Sequence, residues 1–463
     1  MKKGFLENKY DLLLLSCILF FSLLVRVIWI GKIPGNITGD EITNLTDVLT
    51  ILFGKGQHLF TPIGDKSVTG ILGYYPALLM KIFGTDNAII VMRIATAILS
   101  VIALIPFYWL LKHKTTSLVS VVVTLLLATN YVFLNFSRTA WMNMWTIFSG
   151  LFMFLFLEKA MKDNRPHSYI LAGIFAGITL YGYHYGKMLV GSIIIFLMFR
   201  MLLKKQQTIQ YSKGVLLFII TSLLILTPFL ATNRNNPQPL LLRSKSVLVF
   251  QSDILSNTDR FYKTLKHQLE YTVKGFLLFD GSVMSEGIEN QRYVPYHTPP
   301  INSAILLLFW GGVLWCIFFE RSRMTFWWIV AVSTIATSIL TVDPPNFSRG
   351  VFYIPFIYVT VGVFLWSIYN HYKKFFTKHL VFITMIFVLC SISLSVSDLL
   401  LYFKWMQTQS LLAARQPAIE LSEYPYWQAY QIEQVAKNLP PITNYQWYEI
   451  RNTFLPNKNL QLR

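Results

Sequence analysis

Two adjacent carboxylates, Asp40 and Glu41, follow the first long apolar segment of the chain, within the stretch I-P-G-N-I-T-G-D-E-I. A carboxylate at a membrane surface can take a proton from a hydroxyl group, and a pair can also bind a metal ion or orient a substrate. Acidic residues are equally typical of the first turn of a helix, where Asp is a common cap. The sequence therefore predicts either an acid–base site or a helix start at this point.

Four basic residues stand in polar turns elsewhere and together could line one anionic pocket. They are Arg138 in N-F-S-R-T-A-W, Lys187 in Y-G-Y-H-Y-G-K, Arg243 in N-P-Q-P-L-L-L-R-S-K and Arg349 in V-D-P-P-N-F-S-R-G. A guanidinium group binds phosphate through two parallel hydrogen bonds, whereas a lysine supplies a point charge. An arginine at a membrane interface can also extend its charge to the surface without a ligand. Both interpretations stay open for each residue taken alone.

Aromatic side chains surround Lys187 in the turn formed by residues 181–187. Tyrosine is enriched at both surfaces of a membrane, so these side chains fit an interfacial belt. His184 and Lys187 could also contact an anionic head group or a sugar. The belt explains the tyrosines more simply, and His184 and Lys187 are kept as candidate ligands.

Motifs for nucleotide-driven or metal-driven chemistry are absent from the sequence. G-Y-H-Y-G-K has too few residues between its glycines to be a P-loop, and neither H-E-x-x-H nor a Cys/His metal pattern occurs.

Asp11, Glu158 and Asp398 all fall at the ends of predicted membrane spans. Ion-coupled transporters usually place such groups near the middle of the membrane, so an ion-coupled transporter is disfavoured.

Long apolar runs must position these residues. A membrane-spanning helix needs about 20 mostly apolar residues, and the sequence offers about eleven such segments. The predicted spans are Leu12–Ile30, Ala88–Leu111, Thr116–Phe136, Met142–Leu157, Tyr169–Leu180, Met188–Met201, Gly214–Ala231, Ile301–Phe319, Phe326–Thr341, Val351–Ile368 and Leu380–Leu400. The predicted fold class is an all-α polytopic membrane protein.

Loop charge predicts the orientation of the spans. With the N-terminus in the cytoplasm, every short inner connector carries an excess of Lys and Arg, as the positive-inside rule requires. Most of the net charge of +18 is thereby explained by topology, and a nucleic-acid partner is disfavoured. We expect an integral protein of the plasma membrane whose active site and C-terminal tail are extracytoplasmic.

Three long polar segments then share the outer face, where long loops tend to carry function. They divide the chain into a membrane domain of residues 1–400, with outer loops at 31–87 and 232–300, and a short tail at 401–463. Gly73–Phe83 and Asp253–Phe279 read as amphipathic surface helices, and Glu420–Asn438 as a short helix on the outer face.

Composition excludes most other classes of protein. Hydrophobic residues make up 54% of the 463 residues and charged residues 13%, which is about half the usual charged fraction of a soluble domain. A soluble globular enzyme, a disordered chain and a disulfide-rich secreted domain are therefore all excluded.

In this order, the motifs resemble those of family-39-like, integral-membrane GT-C glycosyltransferases, the group of protein O-mannosyltransferases and the lipid A aminoarabinose transferase. The resemblance runs through D-E at Asp40, Y-Y-P-A-L-L-M-K-I-F-G from Tyr74, V-M-R-I-A-T-A around Arg93, L-N-F-S-R-T-A, Y-G-Y-H-Y-G-K and P-P-N-F-S-R-G. It covers most of the chain, and the ordered set is more specific than any single string.

The resemblance implies an inverting transfer of a sugar from a polyprenyl-phosphate donor to an acceptor hydroxyl at the extracytoplasmic face. It implies that Asp40 is the general base and that Glu41 organises the acceptor or a cation. A protein, lipid or glycan of the cell envelope would be the acceptor. The donor phosphate would be bound by basic residues, and further side chains would line the substrate pocket; these candidates are Arg138, His184, Lys187, Arg243, Arg349, Tyr74, Tyr75, Tyr183 and Asn143.

The sequence departs from the family pattern in three places. Asn143 stands where many relatives have Asp, and an amide is a poorer cation ligand than a carboxylate, so a divalent cation as cofactor is left open. Lys187 stands where Arg is common, and Asp65 and Lys66 only loosely match a K-P-P-L-Y-Y-like motif. A transporter or flippase for a lipid-linked glycan is the alternative function, followed by a non-catalytic membrane scaffold.

Overall fold

Apolar helices form most of the molecule. The computed structural model describes residues 9–53, 60, 62–63, 68–203, 208–235, 247–286, 292–295, 297–319, 324, 327–373, 380–408, 419–420, 423–437, 439, 446–447 and 450. In chain order the elements are α1 (Lys9–Val27), β1 (Asn36–Ile37), α2 (Gly39–Leu52), β2 (Pro62–Ile63), β3 (Val68–Thr69), α3 (Ile71–Phe83), α4 (Ala88–Lys112), α5 (Ser117–Thr129), α6 (Tyr131–Arg138), α7 (Asn143–Asp163), α8 (Pro166–Tyr181), α9 (His184–Leu203), α10 (Thr208–Thr232), α11 (Ser252–Leu255), α12 (Thr258–Thr272), α13 (Gly281–Glu286), α14 (Ser303–Phe318), α15 (Trp327–Leu340), α16 (Phe347–Gly350), α17 (Tyr353–Lys373), α18 (Leu380–Thr408), β4 (Ile419–Glu420) and α19 (Tyr424–Ala436).

A helix lies at each predicted span, and the all-α polytopic class is confirmed. Among the described residues, seven helices are long and apolar enough to cross a membrane, or eight if α5 and α6, which meet at a 60° bend, form one broken span. Helices α8, α14 and α15 are shorter, at 16, 16 and 14 residues. The number eleven therefore stays a prediction.

The last membrane helix extends beyond its predicted end. Helix α18 continues to Thr408, so Asp398 lies inside the helix rather than at its end, and the residue is only 4% exposed. The expectation that Asp398 falls at the end of a span is therefore wrong. Hydropathy alone ends the span at Leu400 because the following residues, L-Y-F-K-W, are on average less apolar although they continue the helix.

Helices occupy the three segments in which outer surface helices are predicted, and their location at the outer surface stays a prediction. Helix α3 contains the predicted Gly73–Phe83 helix, α12 lies within Asp253–Phe279, and α19 lies within Glu420–Asn438. Two short antiparallel strand pairs accompany them, β1 with β4 and β2 with β3. The pairing of β1 with β4 joins the segment before α2 to the C-terminal tail.

Burial separates the central helices from the peripheral ones. Along its most apolar stretch, α4 is 72% buried and α17 is 67% buried, whereas α18 is only 17% buried. Because lipid is as apolar as the protein interior, a membrane helix can leave apolar side chains exposed. Val381 and Leu400 of α18 are 79% and 67% exposed. We therefore read α18 as a lipid-facing helix at the periphery.

Candidate active site at the start of helix α2

The start of α2 is defined by a reciprocal cap. Thr38 is the N-cap residue, and its hydroxyl accepts a hydrogen bond from the backbone N–H of Glu41 at 3.4 Å. The Glu41 carboxylate accepts the Thr38 backbone N–H in return, at 3.0 Å. This capping box satisfies two backbone donors that a helix start leaves unpaired. The helix-start interpretation of the acidic pair is thus the correct one for Glu41.

Glu41 is also the buried partner of an arginine from α4. Its Oε1 accepts Arg93 Nε at 2.9 Å and the backbone N–H of Ala140 at 3.0 Å, and both charged side chains are 0% exposed. Arg93 continues to the loop before α2, donating to the carbonyl oxygens of Pro34 and Asn36 at 2.9 and 2.7 Å. Glu41 therefore ties α2, α4 and the loop after α6 together.

Asp40 lies one residue earlier and has a different environment. Its side chain is 29% exposed, and its Oδ2 lies 3.4 Å from Nη1 of Arg292. Arg292 itself is only 4% exposed. The neighbouring carboxylates are thus divided, with Glu41 inside the fold and Asp40 at an accessible edge beside a buried cation.

Arg292 was missed by the sequence analysis. It lies 252 residues from Asp40, in the second long outer loop. The surrounding string R-Y-V-P-Y-H-T-P-P carries no spacing that pairs it with Asp40. The pair becomes visible only in the folded structure, where the loop at 232–300 reaches the start of α2.

An aromatic group joins Arg292 to the cap. Tyr293 stacks on Phe136, with ring centroids 5.2 Å apart, and it meets Trp141 edge-on at 5.1 Å. The indole N–H of Trp141 donates to the Thr38 hydroxyl at 3.0 Å. Rigid rings with a defined polar end can fix the geometry of neighbouring groups. The three rings therefore fix the cap of α2 through Thr38, and they fix the backbone beside Arg292 through Tyr293.

Arg138, a predicted phosphate ligand, has structural partners instead. Its guanidinium donates to the carbonyl oxygens of Val25, Arg26, Ile28 and Ile33, three of these contacts at 2.8–2.9 Å, and the residue is 0% exposed. Val25 and Arg26 lie in the last turn of α1, and Ile28 and Ile33 lie in the connection to α2. The arginine therefore holds the loop that leads to Asp40, and we do not use it as a phosphate ligand below.

A second group of predicted residues meets at Ser348. Tyr183 Oη lies 3.1 Å from Ser348 Oγ, and the Asn143 amide donates to the Ser348 carbonyl oxygen at 2.8 Å. Arg349 is 6% exposed and donates to the Val342 carbonyl oxygen. The turns after α6, α8 and α15 are thereby brought together, and the predicted anionic pocket stays a prediction.

The remaining candidates lie near these turns. His184 begins α9, and its ring lies 5.6 Å from that of Tyr183. Lys187 is half-buried one turn further along α9. Arg243 lies outside the described residues. The predicted roles of these side chains stay predictions.

The tyrosines of α3 differ from each other. Tyr74 is 37% exposed, whereas Tyr75 packs edge-on against Trp145 at 5.8 Å and its hydroxyl lies 3.5 Å from the Ala95 carbonyl oxygen. Burial raises the pKa of the Tyr75 phenol above its ordinary value, so it stays protonated at neutral pH. Tyr75 also lines a small pocket together with Trp141 and Trp145.

The described residues do not fit a divalent cation at this site. Within the described part of the chain, no group of three His, Cys, Asp or Glu side chains could hold a metal ion. Both Glu41 oxygens already accept hydrogen bonds, and Asn143 directs its amide nitrogen to Ser348. A hard cation needs several free oxygen ligands, so we derive no chemical step through a metal.

Comparison with known proteins gives a family match and a set of structural matches that includes the two described below. A family model described as dolichyl-phosphate-mannose-protein mannosyltransferase matches residues 71–231, about a third of the chain. The structure of ArnT from Cupriavidus metallidurans bound to undecaprenyl phosphate is similar over 96% of this chain and 84% of that one, with 11% identity and a TM-score of 0.57. No curated protein matches in a sequence comparison.

A shorter match is to the protein O-mannosyltransferase Pmt1-Pmt2 complex of S. cerevisiae bound to its sugar donor. It has 16% identity and a TM-score of 0.40, and it covers 50% of this chain but only 34% of the yeast chain. The similarity to ArnT shows a shared fold at this level of identity. Fold and family model together confirm the predicted resemblance to integral-membrane GT-C glycosyltransferases.

Proposed function

We propose that the protein transfers a sugar from a polyprenyl-phosphate donor to an acceptor hydroxyl group, with Asp40 as the general base. The observation that carries this proposal is the division of the acidic pair. Glu41 is buried and holds the helix, whereas Asp40 is accessible and lies 3.4 Å from a buried arginine. The family model and the fold support the glycosyltransferase class, and the undecaprenyl phosphate bound in the similar ArnT structure supports the carrier.

The reaction requires one proton transfer and one displacement. The Asp40 carboxylate takes the proton of the acceptor hydroxyl, and the acceptor oxygen attacks the anomeric carbon from the face opposite the phosphate. The bond between that carbon and the phosphate oxygen breaks, and its electron pair leaves with the polyprenyl phosphate. Configuration at the anomeric carbon is inverted. Holding both substrates in line contributes much of the acceleration.

Arg292 fits the charge that develops on the departing phosphate. A buried guanidinium is more effective against such charge than an exposed one, because little water screens it. The same group lies 3.4 Å from the Asp40 carboxylate. We infer that Arg292 binds the donor phosphate beside the base, while the Asp40 carboxylate takes the proton of the acceptor hydroxyl.

The same proposal places the reaction outside the cytoplasm. The positive-inside rule puts the N-terminus in the cytoplasm and therefore puts α2, the second long loop and the C-terminal tail on the extracytoplasmic side. A hydroxyl group of a protein, lipid or glycan of the cell envelope is the acceptor in this proposal.

The test is Asp40→Asn in purified protein reconstituted with polyprenyl-phosphate-mannose and envelope membranes from cells that lack the protein. We expect release of polyprenyl phosphate to fall about 10²–10⁴-fold, the usual contribution of a positioned base. Donor binding should be retained because the phosphate ligand is a different residue.

Asp47→Asn is the matched control, since it removes the same charge from the same helix two turns further along. Asp47→Asn should release polyprenyl phosphate at the rate of the unmodified protein. Wild-type release by Asp40→Asn would reject Asp40 as the base.

A further inference from the structure

The C-terminal tail reaches the segment that leads into α2. Strand β4 pairs antiparallel with β1, with Asn36 opposite Glu420 and Ile37 opposite Ile419. Both isoleucines are 0% exposed. Strand β1 ends one residue before the cap of α2 and three residues before Asp40. Backbone pairing with the tail therefore fixes the segment from which α2 starts.

Helix α19 of the tail is anchored to the start of α4. The Tyr424 hydroxyl oxygen accepts the backbone N–H of Ile89 at 3.0 Å, and the side-chain amide of Gln428 donates to the Thr85 carbonyl oxygen. The first N–H groups of a helix have no partner within the helix, so Tyr424 supplies one that α4 lacks. Strand β4 and α19 thus bind both to α4 and to the loop before α2.

Apolar packing completes the attachment. Trp427 of α19 is 0% exposed, and Trp447, further along the tail, is also 0% exposed. Both belong to one apolar cluster with the buried face of α2, including Ile42, Leu45 and Val48, and with residues of α3 and α4. Burial of a tryptophan removes a large apolar area from water and contributes strongly to stability. The tail therefore covers the buried face of α2, and Asp40 extends from another face of the same helix start.

Two sets of contacts consequently fix the start of α2. The Glu41–Arg93 pair holds it from the side of α4, and β4 with α19 holds it from the side of the tail. A displacement of about 1 Å at a catalytic group can cost about 10²-fold in rate. Loss of either set would therefore move Asp40 enough to slow the reaction.

We propose that residues 419–436 of the tail position Asp40 for proton transfer, and that Tyr424 and Trp427 are positioning residues. The inference rests on the proposed function of Asp40. The tail touches α2, β1 and α4, and its role is to hold the base rather than to contact substrate.

The test variant is Trp427→Ala, with Tyr426→Ala as the matched control. Tyr426 is the neighbouring aromatic residue of the same helix and is 43% exposed. We expect Trp427→Ala to lower the turnover number about tenfold or more while the dissociation constant of polyprenyl-phosphate-mannose changes less than about threefold. Tyr426→Ala should match the unmodified protein in both.

Hydrogen–deuterium exchange of residues 36–45 provides a readout that does not depend on activity. It should become about tenfold faster in Trp427→Ala and stay unchanged in Tyr426→Ala, because local opening controls the exchange rate. Unchanged exchange would show that the tail does not hold this segment. Faster exchange with an unchanged turnover number would show a structural role only. Either result overturns the proposal.

Tyr424→Phe is a milder variant that still tests the proposal if Trp427→Ala does not fold. It removes the hydroxyl that accepts the backbone N–H of Ile89 and keeps the aromatic ring. As in Trp427→Ala, exchange at residues 36–45 should become faster and the turnover number should fall. If the unmodified protein transfers no sugar from any polyprenyl-phosphate donor, the proposed function fails. Exchange in Tyr424→Phe then decides separately whether the tail holds the start of α2.

Discussion

Replacement of Glu41 by glutamine should damage the fold far more than its small change in shape suggests. The carboxylate accepts five hydrogen bonds, two from Arg93, one from Ala140 and two from Thr38, at 2.9–3.3 Å. A glutamine has one oxygen, so its amide nitrogen must face two or three of these donors. The charge of Arg93 is then buried without a counter-charge.

The magnitude follows from the burial of both partners. Each side chain is 0% exposed, and removal of one partner of a buried ion pair typically costs about 3–5 kcal/mol. We expect Glu41→Gln to lower the free energy of unfolding by about this amount. Circular dichroism of the purified protein, titrated with denaturant in mixed micelles, measures the change.

An exposed ion pair on α19 provides the control. Glu433 contacts Lys437 four residues later, and the two side chains are 52% and 59% exposed. Exposed pairs contribute little because water and salt screen them, so Glu433→Gln should leave the unfolding midpoint unchanged. A loss in Glu41→Gln below about 1 kcal/mol would refute the view that this carboxylate is a structural ion-pair partner.

Two further substitutions test the packing that supports the site. Arg138→Lys should lower the free energy of unfolding by about 2 kcal/mol or more, because one ammonium group cannot serve the four carbonyl oxygens that the guanidinium reaches; an unchanged denaturation midpoint would contradict this. Gly150→Ala should cost about 1–3 kcal/mol, since its new methyl group would lie 2.5 Å from the buried Phe352 ring; normal stability in thermal unfolding would show that α7 and α17 can separate at low cost.

The helices were predictable because their signals are local. Runs of apolar residues gave the position of every membrane helix, and spacing gave the surface helices α3, α12 and α19. The capping box was also readable, because Thr38 and Glu41 have the T-x-x-E spacing. Asp40 was nevertheless predicted near the cap, whereas Thr38 is the N-cap residue in the structure.

The partners of the charged residues could not be read in this way. Arg138 was interpreted as a phosphate ligand or a snorkelling side chain, and its bonds to carbonyls of the last turn of α1 and of the connection that follows fit neither description. Nothing in an isolated N-F-S-R-T-A string shows that another loop brings its carbonyls there. The contact between Asp40 and Arg292 was unpredictable for the same reason, since the two residues are 252 positions apart in the sequence and meet only in the fold.

The opposite environments of Asp40 and Glu41 follow from helix geometry. Successive residues of a helix point about 100° apart, so neighbouring carboxylates cannot occupy the same site. Three distant segments converge on the face that carries Glu41, namely Arg93 of α4, Ala140 after α6, and the tail through Ile37. The face of Asp40 is left partly open beside Arg292. One buried carboxylate fixed from several sides allows its neighbour to stay accessible and still be held in place, and the base that we propose needs both properties.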